Sequence, residues 1–272
     1  MESDNNQPIS TTKPYFIWSI VGFLIWTIYY FYSFKKPISP IDPQPNSNHI
    51  NSLIYFLVLL TLQICIGWTV IAATPGCNIV KDNGKILGKI FISVIFPWLF
   101  IFGFSVLAVA LKPNFKSAFS NIYGYLIVSS SANDILTDLL QDPKANSSTD
   151  TTISDALNKI YGNKGILINQ ITTENFNEYI EMLNPLLKLE FQTNQQYDYT
   201  KASFLNTDGT LNITDTLDPN YPDTMRPANL FAKLYSIVNQ RDNIGEFSWY
   251  FYTALFVISI ATYNIATINC RQ

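Results

Sequence analysis

Residues Tyr15 to Ser33 read YFIWSIVGFLIWTIYYFYS, 19 positions without one charged side chain. A bilayer core asks for about 20 such residues per helix. Three more windows fit: Ser52 to Ala73, Ile90 to Leu111 and Phe247 to Thr267, with 22, 22 and 21 residues. The 272-residue chain carries 17 basic and 20 acidic side chains. Random scatter would put about 11 of them inside these windows, and none is there. The sequence is therefore that of a polytopic α-helical membrane protein. Small soluble domains and secreted disulfide scaffolds are excluded, since only three cysteines are present and Cys65 lies inside the second window.

The ends of the windows carry their own signals. The first run follows Lys13, precedes Lys35 and Lys36, and crowds Tyr29, Tyr30 and Tyr32 at one end, as an aromatic belt does. It is too long for a cleaved signal peptide and lacks a small-residue cleavage site, so it reads as a retained anchor. All five tryptophans (Trp18, Trp26, Trp68, Trp98 and Trp249) lie within the four windows. Gln63, in the second run, predicts a hydrogen bond to a neighbouring helix. Pro97, in the third, predicts a kink.

These windows divide the chain into a flexible N-terminus (1–14), three spans with short loops (15–111), an extramembrane domain (112–246), and a fourth span with the C-terminus (247–272). Residues 112–246 hold 10 basic and 16 acidic side chains, against 7 and 4 elsewhere. Four spans put both termini on one face with Lys13, Lys81, Lys85, Lys89 and Arg271. The opposite short loop holds Lys35 and Lys36, and Lys112 and Lys116 border a span on that side. The basic excess favours cytosolic termini, with the large domain across the membrane. Cys77 and Cys270 then share the cytosolic face, where both stay reduced. Sequons at Asn146 and Asn212 occur no more often than composition predicts.

The loop KKPISPIDPQPNSN, with four prolines, predicts a stiff extended connector. Pro75-Gly76 and Asn83-Gly84 predict turns, as in a short hairpin. The large domain reads as mainly helical with minor β. Phe115, Phe119, Ile122 and Leu126 sit at helical spacing, for a helix lying on the membrane surface or packing back on the domain. Ser131 with Asp134 resembles a capping box. Thr151 or Thr152 starts a further helix that Gly162 can end, and Thr172 or Thr173 starts another that Pro185 stops. GILINQI (165–171) is the candidate strand, and 192–223 a long loop or weak hairpin. After Pro227, the positions Leu230, Phe231, Leu234, Ile237 and Val238 form one helix face ending near Gly245.

The sequence offers little chemistry. His49, the only histidine, lies in a Pro/Asn loop, which excludes a multi-histidine metal site. No Cys-x-x-Cys, phosphate-binding loop, His-Glu-x-x-His or Gly-x-Ser-x-Gly pattern occurs. The pairs Asp134/Asp138 and Glu174/Glu178 lie one helical turn apart and read as solvated surface charge. The acidic domain lacks the basic stripe that nucleic acid requires. No catalytic, cofactor-binding or metal-binding residue is therefore predicted, and the chain is not read as an enzyme. Spans without ionisable groups argue for anchoring over transport. Gln63, Pro97 and Asn264 are the candidates for a pathway if the protein were a small channel.

Two stretches carry a resemblance. Lys112 to Tyr125, KPNFKSAFSNIYGY, and Glu246-Phe247-Ser248-Trp249-Tyr250 with Tyr263-Asn264 resemble virion membrane proteins of nucleocytoplasmic large DNA viruses. The resemblance implies a structural, minor capsid protein in the inner viral membrane, which derives from host endoplasmic reticulum during assembly and is linked through this protein to the capsid. It implies no catalytic residues or cofactor. Its partners would be the bilayer and capsid or other membrane-assembly proteins, and a homo-oligomer fits it. Phe119, Ser120, Asn121, Tyr123, Gly124, Trp249, Tyr250, Tyr263 and Asn264 would be packing and interface elements. The alternative is an accessory structural subunit of a cellular, organellar membrane complex, because enrichment in Asn, Ile, Tyr and Phe also follows from an AT-rich genome.

Overall fold

A computed structural model describes residues 12–35, 45–73, 83–140, 164–173, 175–183 and 227–267. Among them the chain is almost wholly helical and contains no strand. Four helices are long and apolar enough to cross a membrane: Lys13–Phe34, Ile50–Ala72, Leu87–Leu111 and Lys233–Ala266. The structure is thus consistent with a helical membrane protein, in line with the uncharged windows. The chain divides into two compact units. The first comprises 1–36, 45–115 and 247–272, and the second 37–44 and 116–246.

The first unit is built from α1 (Thr12–Tyr29), α2 (Pro45–Ala72), α3 (Asn83–Ile90), α4 (Gly103–Leu111) and the later part of a long C-terminal helix. Helix α1 buries Tyr15, Ser19, Phe23 and Thr27, a stripe that recurs every four residues as one helix face must, and Tyr30 continues it in the π-turn that follows (Tyr30–Phe34). Its other faces leave Ile17, Trp18, Ile25 and Ile28 exposed. In water such a surface would be costly; in lipid it is the expected solvent-facing surface.

Rings fill the core of this unit. The Tyr30 and Tyr55 centroids are 4.4 Å apart, and Tyr55 stacks on Tyr250 at 5.6 Å. Phe102 meets Phe23, Phe56, Trp98 and Tyr250. Gly103 gives the Phe56 ring its place, since a Cβ there would come within 2.9 Å of that ring.

Helix α2 starts at Pro45, so the end of the proline-rich connector is helical and His49 lies in a helix instead of a loop. Proline is well suited to a first helical turn, whose N–H groups have no partner in any case. Asn83-Gly84 likewise opens α3 instead of forming a turn. Pro97 sits between π-helical turns at Phe91–Ile95 and Trp98–Phe102. Widened turns of this kind absorb the donor and the space that a proline ring takes away.

A 3-10 turn (Pro113–Lys116), whose last residue opens the second unit, precedes one α-turn (Ser117–Phe119), a π-turn (Ser120–Gly124) and α5 (Tyr125–Leu139). Ser131 and Asp134 fall in the middle of α5, so no helix begins there; helical geometry has propagated from upstream and no cap is needed. The stretch expected as a strand forms a 3-10 helix, Lys164–Asn169, followed by 3-10-type bonds from Gln170 N to Leu167 O and from Ile171 N to Ile168 O. Its buried residues Ile168 and Ile171 are three apart, the period of a 3-10 helix, and no described strand is present to pair with it.

Helix α6 (Phe176–Leu183) is capped reciprocally. Thr172 Oγ1 accepts from Asn175 N at 3.1 Å, and Asn175 Oδ1 accepts from Thr172 N at 2.6 Å. Thr172 is therefore the capping residue, with Asn in the role usually filled by Glu or Gln.

Helix α7 (Pro227–Ala266) contributes its residues up to Glu246 to the second unit and the remainder to the first. It does not end near Gly245. Leu230, Phe231, Leu234, Ile237 and Val238 are all buried, on the predicted face. The helix expected after Thr151, with Gly162, the 192–223 loop, the sequons and Cys77 and Cys270 lie outside the described residues, as do 37–44 and 74–82.

Candidate functional site

Two places in the described structure concentrate polar atoms in buried surroundings, one in each unit. In the second unit, small side chains on one face of the 117–139 helical run, Ser120, Gly124, Val128 and Ala132, are buried at four-residue spacing. The expected apolar stripe is instead largely exposed, with Leu126 at 70% and Ile122 at 58%. The small stripe lets the backbone of α7 approach closely: a Cβ on Gly124 would meet the Arg241 carbonyl oxygen at 2.5 Å, and one on Gly245 the Ser120 nitrogen at 2.6 Å. Small residues four apart are a general means of bringing helices together.

Beside this crossing lies a buried charge pair. Arg241 donates to Asp242 Oδ1 through Nη2 at 2.7 Å and Nε at 3.1 Å, and through Nη1 to the Ile168 carbonyl. Both residues are nearly inaccessible, at 2% and 5%. Lys116 Nζ bonds to Glu246 Oε2 at 3.2 Å. Each charge thus has an opposite partner, as burial demands. The sequence reading did not single out Arg241 or Asp242. The signal was present, since they continue the Leu234, Val238 register of α7 and so fall on its buried face.

In the first unit, Gln63 Nε2 donates to the Ser19 carbonyl at 3.1 Å, the interhelical bond that a span glutamine predicts. Thr27 Oγ1 and Tyr55 OH share a hydrogen bond of 2.9 Å, and Trp26 Nε1 donates to the Tyr55 carbonyl at 3.1 Å. Ser105 Oγ donates to Thr253 Oγ1 at 3.2 Å. An apolar groove of about 600 Å³ runs along α2 and the third span, lined by residues including Leu53, Phe56, Phe100, Phe104 and Leu107, with Ser52 as its polar member. Its lining contains no ionisable group.

The predicted packing and interface residues are divided between the units. Ser120 and Gly124 are buried in the helix crossing and Phe119 is half-buried. Asn121 and Tyr123 are exposed, and the Phe119 and Tyr123 rings stack at 6.0 Å. Tyr250 is in the ring-filled core, while Trp249 is half-buried and donates to the Ser105 carbonyl at 3.4 Å. Tyr263 is exposed and Asn264 half-buried. Asp134 and Asp138 are both exposed on α5, and Glu174 lies outside the described residues. No cluster of three or more His, Cys, Asp or Glu occurs among the described residues. No protein-family model, curated protein or solved structure matches the chain.

Proposed function

We propose that the protein is a structural membrane anchor: a minor capsid component that fixes the inner membrane of a large DNA virus particle to its shell. The observation that carries this reading is the ring-filled core of the span bundle, where Tyr30, Tyr55, Phe102 and Tyr250 pack against one another. A bundle closed by aromatic contacts suits a fixed anchor better than a conduit, which would line its axis with ionisable groups.

Anchoring follows from the outward side chains. Ile25, Ile92, Phe104 and Phe256 are each exposed by more than half, and withdrawing such a side chain from lipid into water costs roughly 1.5–3 kcal/mol. The acidic 112–246 segment, joined to a span at each end, supplies the surface for capsid or membrane-assembly proteins. The sequence stretches around Ser120 and Trp249 that resemble virion membrane proteins support the viral version. Host endoplasmic reticulum is then the membrane in which the protein is first inserted.

Detergent extraction of purified virions followed by mass spectrometry tests the proposal. The expected result is an abundant integral component resistant to alkaline carbonate. Absence from virions, with co-purification in a cellular membrane complex instead, would replace it with the accessory-subunit reading.

A further inference from the structure

The apolar groove along α2 and the third span is lined on the span's side from Leu99 to Leu111. At 1.5 Å per residue that is about 18 Å, close to the roughly 15 Å that one leaflet contributes to a bilayer core. The groove thus runs through a single leaflet, the depth that an acyl chain occupies. Val106 is buried and Gly103 and Ala110 are half-buried, so these residues make its floor. Leu53, Phe100 and Phe104 are each more than half exposed and make its rims. Such walls give water no partner, and about 600 Å³ is the size of a small-molecule site. Hydrocarbon is the guest that fits.

One end of the groove is cationic. Leu111 is the last lining residue, and the exposed Lys112 follows it directly. Ser52 lies at the same end and shares a hydrogen bond of 3.1 Å with Tyr30 OH. Asn51 Nδ2 donates to the Phe34 carbonyl at 3.0 Å, which brings the neighbouring Lys35 to this end as well. The segments that meet here, 30–35, 45–52 and 108–115, contain no Asp or Glu.

We infer that the groove binds one anionic phospholipid, with an acyl chain along Gly103 and Ala110 and the headgroup against Lys112 and Lys35. Two lysines without a carboxylate between them favour a headgroup of net negative charge over a zwitterion. The inference needs only that the spans lie in lipid, and it stands or falls independently of the capsid reading.

The test uses the full-length protein in phosphatidylcholine nanodiscs doped with a phosphatidylglycerol that carries a photoreactive diazirine in its acyl chain. Adducts are mapped by mass spectrometry. Labelling of 52–56 and 99–111 is expected, displaced by unlabelled phosphatidylglycerol and not by phosphatidylcholine or oleate. Phe256, exposed on the fourth span and outside the groove, is the reference for lipid that only surrounds the bundle. Labelling of the groove no stronger than at Phe256, or displaced equally by the other two lipids, overturns the inference. So does a groove that takes no label, as it would if a second copy or another segment of this chain filled it.

Two variants separate chain from headgroup. Ala110→Phe puts a ring into the trough and should abolish labelling there while leaving that at Phe256. Lys112→Gln keeps the walls intact and should lower the preference for phosphatidylglycerol about fivefold, the worth of one lysine near an anionic surface. Unchanged labelling in the first, or unchanged preference in the second, overturns the inference.

Discussion

Gly124 lies so close to Arg241 that a methyl group on it would sit 2.5 Å from the Arg241 carbonyl oxygen. The contact is with main chain, which cannot swing aside. Gly124→Ala should therefore force the two helices apart, at a cost of about 1–3 kcal/mol, the usual range for overpacking. Gly88 is the internal control, because nothing lies within 4 Å of a Cβ there. Gly88→Ala should be neutral or stabilising by up to about 1 kcal/mol. Chemical denaturation of both variants in the same detergent checks the contrast; equal effects would mean the crossing is looser than described.

Removing Arg241 strands a carboxylate. Asp242 is 5% exposed and takes two bonds from that guanidinium, which also satisfies the Ile168 carbonyl. Arg241→Met should cost about 3–5 kcal/mol, as breaking a buried pair from one side generally does. Arg241→Met combined with Asp242→Asn should recover part of that loss. A double-mutant cycle on denaturation free energies reads the coupling, and simple additivity would mean the pair is not interacting.

The Thr172–Asn175 cap makes a smaller, local prediction. Thr172→Ala removes the acceptor for the Asn175 N–H and should destabilise α6 by about 1 kcal/mol, while Thr172→Ser should keep most of the cap. Amide hydrogen exchange across 176–183 is the measurement. Protection should drop in the first variant and persist in the second.

Burial raises the Tyr179 phenol above its ordinary value of 10.0. A raised folded value means that the neutral form is the one the fold favours. The associated stability is fully present below the unfolded value and is lost as pH rises through the folded one. Urea midpoints for the protein should thus fall as the pH rises above the ordinary phenol value of 10.0, and the part of that fall due to this residue should vanish in Tyr179→Phe.

The spans were legible because lipid imposes a requirement on composition itself: a charge-free run of the right length fits a bilayer and little else. The same logic made the Gln63 bond and the buried face from Leu230 to Val238 readable. What the sequence concealed was context. Ser131 has the chemistry of a cap, but the helix had already started upstream. Residues 165–171 are apolar enough for a strand, but hydrogen-bond locally as a 3-10 helix. Phe115, Ile122 and Leu126 drew attention by size, whereas Ser120 and Gly124 make the helix contact by being small.

Tyr250 completes the ring core against Tyr55 and Phe102, yet it is synthesised long after them. At about 5–20 residues per second, the ribosome needs on the order of ten seconds or more to pass from the third span to the fourth. Throughout that interval, the nascent chain must hold Tyr55 and Phe102 against lipid or a membrane chaperone. Assembly of the bundle therefore passes through a stage with an open seam, and the last helix acts as the closing piece.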